Sequence, residues 1–204
     1  ERASAEGRFP ACIRLQPAPT RSGVPYRKLS LEGRNAVVIG GTSGIGRTLA
    51  LGLADAGANV VATGRREVEV RSVAKEIEAR GRRSLCKPVD VTKRDTVEAL
   101  LAACIGEFAK VDILINCAGT TKRTPTLDVS DEEWNRIMEC NVTGTLRGCQ
   151  VFGRHMLEQG YGRIVNIASL STYVALYEVA AYCASKAAVG SLTRSLAVEW
   201  GARG

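Results

Sequence analysis

The 204-residue sequence lacks any apolar run approaching the roughly 18 residues that a membrane-spanning helix needs. It also lacks a charged N-terminal segment followed by an apolar stretch, the pattern typical of a secretory signal. We therefore expect a soluble, cytoplasmic protein with no membrane partner. With 45% hydrophobic residues, the chain can bury one sizeable core.

The sequence also lacks the cysteine spacing of a structural zinc site, because none of the seven cysteines belongs to a C-x-x-C pair. Their odd number argues against a disulfide framework, so small buried thiols in a reducing cytosol are expected. The single histidine, His155, lies in a predicted helix far in sequence from other candidate ligands. We predict no metal site.

The net charge of +7 is spread along the chain and forms no basic run with interleaved aromatics, which argues against a nucleic-acid partner. Residues 1–34 contain seven Arg or Lys against three Glu, and four of the six prolines. We expect residues 1–30 to form a disordered or loosely attached leader and residues 31–204 to form one domain. A fragment boundary is a simpler expectation for the N-terminus than an organelle-targeting peptide.

From residue 35 onward, short β-branched runs alternate with longer helical patterns, which predicts βαβ units around a parallel sheet. The expected fold class is α/β, a Rossmann-like doubly wound sheet in three α/β/α layers. Strands are predicted at residues 35–39, 59–63, 84–87, 111–116 and 163–168. Helices are predicted after the first strand as far as Gly57, near residues 68–80, and after Asp90 and Thr92 with an apolar stripe from Val97 to Phe108. Two more are predicted at about residues 130–159 and 179–200, the first of these opened by a capping-box-like S-D-E-E sequence.

A glycine-rich turn, I39-G-G-T-S-G-I-G46, joins the first predicted strand to its helix. Gly40, Gly44 and Gly46 let the backbone turn tightly and approach a pyrophosphate, whose charge meets free amides and the positive end of the helix. The flanking strand and helix favour dinucleotide binding over a merely structural turn.

The second predicted strand ends in T63-G-R-R66, with no acidic residue before Glu67. An acid at this position binds the ribose hydroxyls of NAD, whereas arginine suits the additional phosphate of NADP. Arg65, helped by Arg66 and Thr63, therefore favours NADP, and NAD stays an alternative. The competing interpretation is a solvated start to a basic helix.

Tyr182 and Lys186, in Y182-C-A-S-K186, are four residues apart and so share one face of a predicted helix. A nearby ammonium favours the ionised phenol, which suits a general acid/base. Such pairs also occur by chance. Ser169 adds weight, because it follows the last predicted strand at the edge where parallel sheets bind ligands.

These motifs resemble the classical short-chain dehydrogenase/reductase family over about residues 30–204. The N-A-G element of the family resembles N116-C-A-G119, and its adenine-contacting acid resembles Asp90 in D-V-T92. Its catalytic asparagine matches Asn141 in N-V-T-G144, its serine matches Ser169, and its Y-x-x-x-K matches Tyr182 and Lys186.

The resemblance implies a catalytic tetrad acting on a small carbonyl or alcohol substrate. In it, Tyr182 exchanges the substrate proton, Ser169 hydrogen-bonds the substrate oxygen, Lys186 holds the nicotinamide ribose and Asn141 anchors a proton-relaying water. The implied cofactor contacts are Gly40, Thr42, Ser43, Gly44, Ile45, Gly46, Arg65, Arg66, Asp90, Val91, Asn116, Ala118, Gly119, Tyr182 and Lys186.

Two departures from the family pattern affect these expectations. Ile39 stands where the family has threonine, which removes one hydroxyl near the turn and leaves phosphate binding to backbone amides. The family also continues past Gly204 with further strands, a P-G element and a substrate loop. We therefore expect a sheet missing its last strands, a chain less stable than the complete protein, activity that is in question for this chain alone, and a homotetramer when full length.

Substrate identity depends on the loop T120-T-K-R-T-P-T126, where Lys122 and Arg123 would suit an anionic, hydroxylated substrate. A merely solvated loop is the equal alternative. Within the family, the chain is most similar to the branch that oxidises gluconate and 2-deoxygluconate, which implies keto/hydroxy interconversion on a sugar acid. Reduction of 3-oxoacyl thioesters, or a non-catalytic NADP-binding fragment, stays open.

Overall fold

The computed structural model describes residues 29–204, in which four parallel strands form one sheet. The strands are β1 (Asn35–Ile39), β2 (Asn59–Thr63), β3 (Ile113–Asn116) and β4 (Arg163–Asn166), and their order across the sheet is β2-β1-β3-β4. Val37 of β1 is in register with Val61 on one side and Leu114 on the other. Residues 1–28 of the predicted leader lie outside the described residues.

Helices pack on both faces of this sheet, which confirms the doubly wound, three-layer prediction. They are α1 (Gly44–Asp55), α2 (Glu67–Glu78), α3 (Arg94–Phe108), α4 (Asp131–Met138), α5 (Gly144–Glu158) and α6 (Ala180–Trp200). Because successive side chains of a strand point to opposite faces, Val38 packs with α1 and α2 whereas Val37 packs with α3 and α5. No helix within residues 29–204 combines the length and apolar character needed to cross a bilayer.

The strand predicted at residues 84–87 is wrong. The chain does run beside β2, because the Val60 N–H donates to the Arg83 carbonyl at 3.1 Å and the Val89 N–H donates to the Gly64 carbonyl at 2.9 Å. Between these two points, only the Thr63 hydroxyl reaches across, to the Lys87 carbonyl. These two bonds turn the odd-numbered residues of the segment toward β2, and, among the described residues, 85 and 87 make no backbone hydrogen bond to it, so no continuous ladder forms here.

The helix predicted at residues 130–159 is interrupted by a π-helical segment, Glu139–Thr143, between α4 and α5. Its N-terminus begins as predicted, since the Ser130 hydroxyl accepts the Glu133 N–H at 3.2 Å. The reciprocal half of a capping box is replaced by another contact, because the Glu133 carboxylate accepts hydrogen bonds from Lys122 and Thr124. The π segment rotates Asn141 relative to a regular helix.

Asp112 joins the starts of β1 and β3. Its buried carboxylate accepts hydrogen bonds from the Asn35 N–H at 3.0 Å, Lys110 at 3.0 Å and Arg34 at 2.9 Å. Burial alone would raise the pKa of Asp112, but these hydrogen bonds hold it below its ordinary value. The charged carboxylate thereby fixes the register that brings the carboxyl ends of both strands to one edge.

Candidate active site

A groove of about 540 Å³ lies at the carboxyl ends of β1, β2 and β3, where open parallel sheets bind ligands. All the predicted cofactor contacts line it except Gly44 and Asn116. Several lining residues were not assigned to the site from the sequence, namely Gly64, Val89, Cys117, Arg136, Cys140 and Ile167. Tyr182 and Lys186 line the same groove as the glycine turn.

The glycine turn leaves no room for side chains at two positions. Gly40 has φ +85°, and a Cβ there would lie 2.5 Å from the Ala118 nitrogen. A Cβ on Gly46 would lie 2.0 Å from the Gly40 carbonyl oxygen. α1 then starts without an acidic residue in its first turn and without a side-chain hydrogen bond from its N-cap, Ser43. Its first amides are therefore available to an anion in the groove.

Arg65 is the cation at the end of β2. Within residues 29–204 no carboxylate lies within 4 Å of it, whereas Arg66 pairs with Glu69 at 2.5 Å. Across the groove, Asp90 accepts hydrogen bonds from the Thr92 N–H at 3.0 Å and the Thr92 hydroxyl at 2.8 Å. Burial would raise the pKa of Asp90, but these bonds and the charge of Arg65 lower it.

Asn116 is a predicted cofactor contact whose side chain does not line the groove. Its side chain is buried and donates to the Asn166 side-chain oxygen at 2.8 Å, so it joins β3 to β4 behind the groove. A Cβ on Gly148 would lie 2.4 Å from the Asn116 side-chain oxygen, which shows how closely α5 covers it. The neighbouring Ala118 and Gly119 do line the groove.

Lys186 is buried on α6, with only 5% of its surface exposed. Its ammonium donates to the Ile167 carbonyl at 2.6 Å and lies 5.9 Å from the centre of the Tyr182 ring. Burial lowers the pKa of Lys186, and the nearby thiols Cys117 and Cys140 partly oppose this effect. A buried cation thus lies beside the phenol, as the spacing predicts.

Asn141 is fully buried, and both the oxygen and the nitrogen of its side-chain amide make hydrogen bonds. The side-chain oxygen accepts the Thr120 N–H at 2.7 Å, and the side-chain nitrogen donates to the Thr120 carbonyl and to the Ser185 hydroxyl, each at 2.9 Å. Ser185 in turn donates to the Tyr182 carbonyl at 2.7 Å. Ser185 was missed from the sequence, although its place three residues after Tyr182 puts it on the buried face of α6.

Ser169 follows β4 and caps a short 3-10 helix, Leu170–Thr172. Its hydroxyl oxygen accepts the Ser171 N–H at 3.1 Å. Within the described part of the chain, its hydroxyl hydrogen has no acceptor, so it is available to a substrate oxygen. Ser169 does not itself line the groove around Tyr182 and Lys186.

The two loop cations expected to bind an anionic substrate are each paired with a carboxylate. Lys122 lies 2.5 Å from Glu133, and Arg123 lies 3.0 Å from Glu178. Arg136 of α4, by contrast, lines the groove and donates to the Thr120 hydroxyl at 3.1 Å. No carboxylate lies within 4 Å of Arg136 in residues 29–204, so it is a cation available to an anion.

His155 has a structural role, because its Nε2 accepts the Val111 N–H at 3.2 Å. Among residues 29–204, no three His, Cys, Asp or Glu side chains come together as metal ligands. The cysteines of this range are all free thiols.

Comparison with known proteins gives one family. The model of the short chain dehydrogenase family matches residues 34–204. Gluconate 5-dehydrogenase of Gluconobacter oxydans (strain 621H) is 40% identical over 175 residues, which cover 86% of this chain and 68% of that protein. D-threitol dehydrogenase of Mycolicibacterium smegmatis is 37% identical, covering 85% of this chain and 67% of that protein.

Solved structures agree with this result. A gluconate 5-dehydrogenase from Burkholderia cenocepacia J2315, in complex with NADP and tartrate, has a TM-score of 0.82 and 34% identity. The match covers 86% of this chain and 69% of that one. The chain thus spans about two thirds of the length of the proteins it resembles.

Proposed function

Because the chain belongs to the short-chain dehydrogenase family, we propose that it interconverts a carbonyl group and a secondary alcohol on a small polyhydroxylated substrate, with NADP preferred over NAD. The observation that carries this proposal is the meeting of the glycine turn with Tyr182 and Lys186 in one groove. Binding and acid/base chemistry are then available at a single site.

The groove residues fit a phosphorylated dinucleotide. The Cβ-free turn at Gly40 and Gly46 allows close approach of a pyrophosphate, and the start of α1 offers unpaired amides. Arg65, which has no carboxylate partner in residues 29–204, would hold the additional phosphate of NADP. The NADP bound to the Burkholderia cenocepacia relative supports the same preference.

The chemistry follows from Tyr182 and Lys186 in the groove and from Ser169 after β4. When bound, the nicotinamide cofactor supplies or accepts a hydride. Tyr182 donates its phenolic proton to the substrate oxygen as that oxygen gains negative charge, and Ser169 donates a hydrogen bond to the same oxygen. The Lys186 ammonium stabilises the resulting phenolate. Asn141 holds Thr120 and, through Ser185, the α6 backbone at Tyr182.

A polyhydroxylated acid is the substrate class that we propose first. Arg136, with the Thr120 hydroxyl beside it, provides a cation and a hydroxyl at the groove wall. The tartrate in the Burkholderia cenocepacia structure and the polyol named for the Mycolicibacterium smegmatis relative support this class. Lys122 and Arg123 contribute less, because Glu133 and Glu178 compensate their charges.

The test is NADPH and NADH oxidation with a panel of keto sugar acids, 3-oxoacyl thioesters and simple ketones. We expect NADPH-dependent reduction of a keto sugar acid, and at least a hundredfold lower kcat in Tyr182→Phe with NADPH binding retained. A wild-type chain that binds NADPH but reduces none of the panel would favour a non-catalytic NADP-binding protein and refute the proposal.

A second candidate is reduction of a 3-oxoacyl thioester. Between residues 125–127 and 175–178, the exposed side chains Leu127, Leu176 and Tyr177 line a cavity of about 630 Å³ that an apolar chain could occupy. In the same panel, a kcat/KM for acyl thioesters above that for every sugar acid would favour this candidate.

Family membership and the free thiols support two further proposals, a cytoplasmic location and a homotetramer. Leu101, Ile105 and Val151 leave apolar surface partly exposed between α3 and α5, where a second copy could pack. Light scattering during size-exclusion chromatography measures the assembly directly.

A further inference from the structure

We infer that Glu178 is a positioning residue that fastens the mouth loop, residues 120–126, to the start of α6. This inference rests on the proposed function, since the arrangement that it maintains is that of Tyr182 and Asn141. Glu178 immediately precedes Val179, the N-cap of α6, and lies four residues before Tyr182.

Glu178 holds two successive residues of the mouth loop. Its carboxylate accepts a hydrogen bond from the Arg123 Nε at 3.0 Å, and its backbone carbonyl accepts the Thr124 N–H at 2.8 Å. The Arg123 guanidinium also lies 5.6 Å from the centre of the Tyr177 ring. The side chain of Glu178 is 25% exposed and that of Arg123 is 68% exposed, so the carboxylate is partly shielded from water while the guanidinium stays solvated.

The backbone at Glu178 is strained in a way that its contacts explain. Its φ is +59°, and the other non-glycine residue with positive φ in residues 29–204 is Ala109, at the C-terminal end of α3. That position is an ordinary site for left-handed backbone, whereas Glu178 stands before a helix. A residue other than glycine keeps this left-handed conformation only where contacts with its surroundings enforce it. Here the enforcing contacts are those to Arg123 and Thr124.

The mouth loop is also held at its start by Asn141 and farther along by Glu133 of α4. Asn141 bonds both the N–H and the carbonyl of Thr120, and Glu133 bonds Lys122 and Thr124. Within residues 29–204, the side-chain bonds from the loop to the segment that starts α6 come from Arg123 alone.

Together, these contacts form a closed ring of hydrogen bonds and backbone. It runs from Tyr182 through Ser185 and Asn141 to the mouth loop, and from the loop through Glu178 back to α6. Glu178 does not line the groove, and it makes no hydrogen bond or ion pair with the glycine turn or Arg65, so its loss leaves these cofactor contacts in place. The effect should therefore fall on the carbonyl substrate and spare NADPH.

The test compares Glu178→Gly with Asp55→Ala. Glycine adopts positive φ readily and keeps the carbonyl that Thr124 uses, so this variant removes the carboxylate without imposing strain. Asp55→Ala removes an exposed arginine–carboxylate pair of the same length, 3.0 Å, far from the site. We expect at least a tenfold lower kcat/KM for the carbonyl substrate in Glu178→Gly, an NADPH Kd within twofold of wild type, and no change in Asp55→Ala. Glu178→Gln, which can still accept the Arg123 bond, should recover most of the loss.

Amide hydrogen exchange provides a readout that does not depend on turnover. In Glu178→Gly, exchange should become faster by at least fivefold both in residues 120–126 and in residues 180–185, relative to Asp55→Ala. Exchange unchanged in either segment, or kcat/KM within twofold of wild type, would overturn the inference. A wild-type chain that reduces no carbonyl would refute the proposed function, while the exchange comparison would still decide the coupling.

Discussion

Arg65 and Arg66 are adjacent at the end of β2, yet only Arg66 has a carboxylate partner within residues 29–204, Glu69. An arginine that is free to bind a phosphate makes charge-assisted hydrogen bonds worth about 1.5–3 kcal/mol. We therefore expect Arg65→Asp to raise the Kd of NADPH by about tenfold to hundredfold while leaving the Kd of NADH unchanged or lower. Fluorescence titration with both nucleotides measures this change.

The matched control is Arg66→Ala, which removes the neighbouring cation that is already paired. Its NADPH Kd should stay within about threefold of wild type, because an exposed ion pair contributes little. Equal losses of NADPH affinity in the two variants would mean that general positive charge, not Arg65, discriminates the cofactors.

The buried ammonium of Lys186 serves the candidate site but destabilises the folded chain. Burial lowers its folded-state pKa below the ordinary value of 10.5, so at neutral pH the folded chain holds an ammonium that the unfolded chain keeps in water. The one hydrogen bond to Ile167 offsets only part of that cost. As pH rises through the lowered pKa towards 10.5, the unfolded state binds more protons, and this destabilisation fades.

Lys186→Met should therefore abolish reduction while unfolding at the same urea concentration as wild type at pH 7, or a higher one. If the variant unfolds at a higher urea concentration than wild type, this difference should shrink as the pH approaches 10. Lys75→Met, at an exposed position of α2, serves as the control and should change neither property. A midpoint clearly below that of Lys75→Met at pH 7 would show that the ammonium stabilises the fold.

At the scale of the element, α1 contains two glycines with opposite expected effects. A Cβ at Gly46 would meet the Gly40 carbonyl at 2.0 Å, whereas nothing lies within 4 Å of a Cβ at Gly52. Gly46→Ala should lower the free energy of unfolding by about 1–3 kcal/mol and weaken NADPH binding, because α1 must move away from the turn. Gly52→Ala should raise it by about 0.5–1 kcal/mol. Urea unfolding measures both, and changes of the same sign would contradict the assignment of the turn.

The elements also show what the sequence could predict. The buried strands β1 and β2 and the apolar stripe of α3 follow from periodicity alone, because each buries a continuous run or face. The π segment could not be predicted, since its altered bonding accompanies tertiary contacts between Asn141 and Thr120. A strand at residues 84–87 was indicated by composition, but a strand needs a hydrogen-bonded partner, and among the described residues the backbone here meets β2 only at Arg83 and Val89.

In the candidate site, too, some features could be predicted from the sequence and others could not. Gly40, Gly46, Tyr182 and Lys186 carry local signals, and the structure brings them to one groove. The inward turn of Asn116 could not be inferred, because its partner Asn166 belongs to a strand fifty residues later. Likewise, the charges of Lys122 and Arg123 were visible in the sequence, while their carboxylate partners are set by tertiary packing.

Across the whole molecule, the strands of the sheet differ in how well they are shielded from solvent. β1 is paired on both sides and buried throughout, and the edge strand β2 is covered on both faces. β4 is paired only to β3 among the described strands, and its residues Arg163 and Val165 are exposed, Val165 to 47%. Strands with few buried contacts open at lower free energy than central ones.

We therefore expect amide exchange to be slowest in β1, and at least tenfold faster in β4 than in β2, although β2 and β4 are both at edges of the described sheet. Mass spectrometry of peptides covering residues 35–39, 59–63 and 163–166 measures this order. Because the comparison is between strands of one molecule, global unfolding would give all three the same rate. Equal exchange in β2 and β4 under conditions where β1 stays protected would mean that β4 is covered in solution, for example by a second copy of the chain.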